Sequence, residues 1–200
     1  MAGETSTSST RATLLARVRD LKDQAAWEQF ASIYAPLIQR YLRRRGLQEA
    51  DAADVTQETM SRVTSAIGRL EYDRGKGRFR GWLLTIAHRS LIDHVHRAKR
   101  AVAGSGDDAV HALIDAQPQS DDAAEWEREC QQQVVKWAMD QIRSEFAPKT
   151  WSAFYATAIE NRPVSDVANE LNMSTGAVYI AKSRVTSRLR IVVEELEDDG

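Results

Sequence analysis

Apolar positions recur every three or four residues along most of this chain, and almost nowhere do they alternate. Leu14, Leu15, Val18 and Leu21 form a first helical stripe. Trp27, Phe30, Ile33 or Tyr34, Leu37 and Tyr41 form a second. Gly46 ends that second helix after three arginines, which suit the negative end of a helix and need no ligand to explain them. A third helix is predicted over DAADVTQETMSRVTSAIGRL, with Asp51 placed to cap it and Val55, Met60 or Thr59, Val63 and Ile67 on its inner stripe. The stretch EYDRGKGR breaks the pattern as a loop, and GRFRGWLLTIAHRSLIDHVHRAKR resumes it as a fourth helix. Periodicity then lapses from Ala101 to Asp122, where AGSGDD and DAQPQSDD have the composition of a linker. Helices return with Trp126, Cys130, Val134, Trp137 or Ala138, and Ile142 or Gln141. Behind Pro148 follow Trp151, Phe154 or Tyr155, and Ala158. The pattern predicts an all-α fold of two small helical bundles joined by a flexible acidic linker.

Near the C-terminus, RPVSDVANELNMSTGAVYIAKSRVTSRLR reads as helix, tight turn, helix. Val164, Val167 with Ala168, and Leu171 face inward on the first helix. Asn172 stands where the turn needs a residue that tolerates the left-handed region, and Ser174 is placed to cap the second helix. Val178, Ala181, Val185 and Leu189 then face in, while Thr175, Tyr179, Lys182 and Thr186 face out with Arg184 and Arg188 at the flanks. This is a helix-turn-helix pattern, whose second helix enters a DNA major groove. An ordinary helical hairpin is the plainer alternative.

Charge sharpens the picture. The 200 residues carry a formal net charge of only -2, but the charge is blocked out along the chain. Residues 77–100 sum to +5, residues 174–190 to +4, and residues 107–129 between them to -7. Two basic segments around an acidic spacer suit two contacts with one polyanion. The single cysteine, Cys130, forms no internal disulfide, which fits a reducing cytoplasm and an inert thiol better than a redox sensor. No apolar run approaches the ~18 residues of a membrane span, so no membrane insertion is expected. MAGETSTSST lacks the features of a secretory signal and reads as a disordered tail over residues 1–10.

On the fourth helix, Leu84, Ala87, Leu91 and Val95 form a core stripe, with Leu83 and His94 at its edges. Thr85, Arg89, Asp93, His96 and Arg100 lie opposite, and Trp82 projects toward that polar side. Cations there neutralise phosphates, and an aromatic stacks on an unpaired base. For Trp82, core packing is the equal alternative. His88, His94 and His96 do not share a face at ligand spacing, so no metal is expected. No nucleotide-binding glycine motif and no nucleophile–base set is present, which argues against an enzyme.

TLLARVRDLKDQAAWEQFASIYAPLIQRYL, DAADVTQETMSRV and GRFRGWLLTIAHRSLIDHVHR together resemble region 2 of the extracytoplasmic-function (ECF) sigma factors of the sigma-seventy family. The C-terminal helix-turn-helix resembles their region 4. The resemblance spans about residues 11–195 and divides the chain into region 2 at 11–100, a linker at 101–124 and region 4 at 125–196. It implies a transcription initiation factor, not an enzyme and without a cofactor, whose partners are the clamp helices of core RNA polymerase, promoter DNA and an anti-sigma factor. Asp51, Asp54, Gln57, Glu58 and Arg62 match the polymerase-docking motif. Arg74, Lys76, Arg78, Phe79, Arg80, Trp82, Arg89, His96, Arg97 and Arg100 match the minus-ten surface. Ser174, Thr175, Tyr179, Lys182, Ser183, Arg184 and Arg188 match the helix that reads the minus-thirty-five duplex. The second helix departs from the family there, because AVYIA replaces its usual early basic residues. Outside the resemblance, the alternative is a stand-alone helix-turn-helix regulator that binds duplex DNA without polymerase.

Overall fold

A computed structural model describes residues 13–69, 79–101 and 120–196. It is all-α, with no strand among the described residues. The helices are α1 (Leu14–Arg17), α2 (Gln24–Arg44), α3 (Glu49–Ile67), α4 (Phe79–Ala101), α5 (Ser120–Ile142), α6 (Pro148–Phe154), α7 (Val164–Glu170) and α8 (Thr175–Leu196). A 3₁₀ turn follows α5, and one turn of π-helix, Tyr155–Ile159, extends α6.

The first helix is shorter than its stripe predicts. Arg17 donates through Nε and Nη2 to the Asp23 carboxylate at 3.0 Å each, and Asp23 Oδ1 accepts from the Ala26 N–H at 2.9 Å. Capping α2 this way ties the chain into a turn after Arg17, so Val18 is buried while Leu21 is left 61% exposed. Helix α3 starts two residues before the expected cap. Gln48 occupies the cap position without a side-chain bond, and Asp51 sits in the first turn.

Helices α2, α3 and α4 enclose one core built on Phe30, Ile33, Leu37, Val63, Leu83 and Leu91. An aromatic group of Phe30, Tyr34, Phe79 and Trp82 closes one end, with ring centroids 4.6–5.9 Å apart. Inside, the Tyr41 hydroxyl and His88 Nδ1 share a 2.8 Å hydrogen bond, and burial pushes the Tyr41 hydroxyl up to about 12. His88 is therefore a satisfied core histidine.

The principal difference from the sequence reading lies in α5. Trp126, Cys130 and Val134 belong to the α2–α4 core, whereas Ala138 and Ile142 belong to a second core with Phe154, Val185 and Val192. The buried positions recur every fourth residue. At about 100° per residue the stripe advances about 40° per step, so Trp126 and Ile142 point about 160° apart. One helix thus serves two cores on nearly opposite faces.

Polar contacts follow the same division. Trp126 donates its indole N–H to the Arg80 carbonyl at 2.8 Å and meets Tyr41 edge-on at 5.7 Å. Arg44 pairs with Glu125 and Glu129, and Arg45 with Asp122. The arginines closing α2 thus meet the acidic first turns of α5; of these acids Asp122 falls within the expected linker, whose residues 120–124 are helical rather than flexible because they open α5. The linker expectation for 101–124 falls otherwise on residues outside the described ones, as does the 1–10 tail.

Helices α7 and α8 pack with the end of α6 through Ala153, Ala156, Val167, Ala168, Val178 and Ala181. Asn172 has φ +49°, the left-handed conformation that the turn demands. Ser174 Oγ accepts from the Ala177 N–H at 3.1 Å, capping α8.

Candidate functional site

Two helices present most of the predicted polymerase- and strand-binding residues. On α3, Asp54 and Gln57 are exposed, and Asp51 is half-buried with Oδ1 4.0 Å from His94 Nε2. Glu58 is the hub of the face. Its carboxylate receives Arg97 from α4 and, at 2.5 Å, Arg62 from one turn further along α3. Arg62 also reaches Asp93 of α4 at 2.6 Å. The Arg97 guanidinium, opposed by partial burial and joined by Arg62, holds the Glu58 carboxyl below the usual carboxylate range. The residues assigned to polymerase and to DNA therefore share one ion-pair mesh bridging α3 and α4. Asp93, a residue the sequence placed on the outer face without a role, is part of it.

Along α4, Arg89 and His96 are exposed, as the helical wheel predicts, and so is Arg97, which the resemblance alone supplied. The start of the helix is different. Phe79 is 2% exposed and lies within the aromatic cluster. Arg80 is 4% exposed, with its guanidinium on Glu127 of α5 at 2.5 Å. In this arrangement neither presents its side chain to a nucleic-acid strand. Desolvation explains it: once α5 covers this end of α4, a buried guanidinium needs a carboxylate, and Glu127 supplies one. Trp82 is half-buried, its ring 5.6 Å from Phe79 and packed against the core. Arg74, Lys76, Arg78 and the Arg100 side chain lie outside the described residues.

On α8, Thr175, Tyr179, Ser183 and Arg184 are exposed as predicted. Ser174 is committed to its cap. Lys182 is drawn toward the protein, with Nζ 3.5 Å from the Thr157 carbonyl. Arg188 is clasped by Glu145 through two bonds of 2.7 and 2.9 Å. Ile180, absent from the predicted set, is 62% exposed beside Tyr179 at 61%. Its signal was the apolar residue on the outer arc of the wheel.

Among the described residues no helix is long and apolar enough to cross a membrane. Residues 30–101 match the family model described as Sigma-70 region 2, which covers α2, α3 and α4 apart from the first turns of α2. No curated protein matches the chain. The family so described is one of non-enzymatic transcription initiation factors. Residues 30–101 are thus similar to region 2 of the Sigma-70 factors, over somewhat more than a third of the chain.

Proposed function

We propose that the protein is a sigma factor of the ECF type, acting in the cytoplasm, that binds core RNA polymerase, addresses it to promoters and helps to open the strands. The observation that carries this reading is the α3–α4 face, which lies inside the Sigma-70 region 2 match and joins the docking motif to the cations of α4. Asp54 and Gln57 are free of internal demands on the outside of α3 and supply charge-assisted and neutral hydrogen bonds to basic clamp residues, with Asp51 beside them. Arg89, His96 and Arg97 line the path of the opened strand. Separating bases costs a few kcal/mol per step, which stacking at about 1–3 kcal/mol per captured base offsets. Trp82, half-buried near the start of α4, is the aromatic that would make such a stack. The α7–turn–α8 unit is the helix-turn-helix of region 4 and addresses the upstream duplex. Polymerase supplies all the chemistry of transcription, and an anti-sigma partner holds the factor in reserve.

Run-off transcription tests the reading. The purified chain added to bacterial core polymerase gives promoter-specific transcripts from a genomic template library, and core polymerase alone gives none. Equally tight promoter binding in the absence of core enzyme would instead mark a stand-alone regulator.

A further inference from the structure

The outer arc of α8 over its first three turns consists of Thr175, Gly176, Tyr179, Ile180, Ser183 and Arg184, all exposed. No charged residue occurs in α8 before Lys182, and Lys182 leans back to Thr157. Arg184 and Arg190 are exposed on the later turns, and no acid lies between Leu171 and Val193. With Glu145 paired to Arg188, the charges that α8 itself presents before Glu194 are all basic, which favours a polyanion as the partner of this helix. On the same helix stand two large apolar side chains, Tyr179 and Ile180, turned away from Val178 and Ala181, which are 0% and 4% exposed. One turn earlier is Gly176, where an added Cβ would meet only Ser174 Oγ at 3.9 Å, so the helix can approach a partner closely at that point.

Guanine in a major groove is read chiefly by paired hydrogen bonds from Arg or Lys, and the N-terminal turns of a recognition helix make the base contacts. Here those turns carry no such donor. The apolar group that a base edge exposes in the major groove is the C5 methyl of thymine. We propose that Ile180 and Tyr179 read thymine methyl groups in the upstream duplex, with Arg184 and Arg190 holding the phosphates beside them. The promoter class served by this chain is then set upstream by thymine positions rather than by guanine contacts in the first turns of α8. This rests on the reading of α8 as the duplex-reading helix.

The test uses holoenzyme assembled from the full chain and bacterial core polymerase. Duplexes selected from a randomised pool are resynthesised with deoxyuridine replacing single thymines in the enriched upstream element, which removes only the methyl group. The expected result is a loss of about three- to fivefold in affinity at one or two positions, the effect of one buried methyl. Ile180→Ala should weaken binding to the thymine duplex by a similar factor and add nothing on the deoxyuridine duplex. An enriched element that binds equally well with deoxyuridine at every position overturns the proposal while leaving α8 as a duplex reader, provided Arg184→Ala still weakens binding. If no upstream element is enriched, and Tyr179→Ala and Ile180→Ala leave transcription unchanged, both the proposal and the reading of α8 fall, and the patch faces a polypeptide.

Discussion

Replacing Trp126 by alanine should destabilise the α2–α4 core as well as fray α5. The indole is 1% exposed, its N–H is bonded to the Arg80 carbonyl at 2.8 Å, and its ring meets Tyr41 at 5.7 Å. A side chain of this size buries about 150–250 Å², worth roughly 4–6 kcal/mol at 25 cal/mol per Å². Partial collapse of the site reduces that figure, and measured Trp→Ala losses run about 3–5 kcal/mol. Against a total stability of about 5–15 kcal/mol, the loss is large. Urea unfolding followed by far-ultraviolet circular dichroism measures it. Trp126→Phe keeps most of the apolar area and forfeits the hydrogen bond, so it should cost only about 1–2 kcal/mol. Cys130 provides a second readout on the same helix. Its thiol is 0% exposed, and burial pushes its pKa up to about 12, so thiol reagents reach it only when α5 opens. Labelling at neutral pH should accelerate by about a hundredfold or more in Trp126→Ala, since each 1.4 kcal/mol is a factor of ten. A loss below about 1 kcal/mol, with Cys130 labelled at the parent rate, would show that α5 is not part of that core.

Four other outcomes follow from the geometry. Asp54→Ala combined with Gln57→Ala should weaken core polymerase binding about tenfold or more while moving thermal stability by less than about 1 kcal/mol, because both side chains are exposed; unchanged affinity in a pull-down titration would refute the docking assignment. Arg184→Ala should make the dependence of log affinity on log salt shallower by about one, and an unchanged slope would mean that Arg184 touches no phosphate. Glu58 has a lowered folded pKa, so its contribution is complete above the ordinary carboxylate range and is lost as pH falls through its folded value. Glu58→Gln should therefore cost about 1 kcal/mol at pH 7 and flatten the loss of stability below about pH 4, as read by urea midpoints across pH. Asn172, at φ +49°, should accept glycine within about 0.5 kcal/mol, whereas Asn172→Val should cost about 1–2 kcal/mol in thermal unfolding.

Much of the α3–α4 face was legible because one helix wheel and one local motif fix which side chains point outward. Arg89 and His96 fall on the polar side of the wheel for that reason, while Asp54, Gln57 and Arg97 came from the motif match and are exposed as well. The Asn172 turn and the Ser174 cap were legible because each is decided by bonds and dihedrals within a few residues. Arg80 was not legible. Its burial depends on Glu127, 47 positions away, and no local pattern announces that partner. Phe79, which the resemblance puts in the minus-ten set, lies in an aromatic cluster that its position beside the loop does not reveal in the sequence. The division of α5 was in principle readable. A strict four-residue spacing winds around a helix, and Asp122, Glu125 and Glu129 fall on one side of it, opposite the α2 arginines. Taken as a single stripe, the same apolar residues of α5 point to the second bundle alone.

The double allegiance of α5 separates the unit of ancestry from the unit of folding. The Sigma-70 region 2 match ends at residue 101, yet the core beneath it is completed by Trp126, Cys130 and Val134. A fragment cut at the boundary of sequence similarity would keep every residue of the recognisable domain and leave its indole socket gaping, a sticky surface that invites association. A fragment beginning at residue 125 would carry that plug as an exposed apolar stub. Dissection of this protein should therefore divide it within α5 only after both halves have been given a substitute for what the other provides, or should keep the helix whole and duplicate it in both pieces.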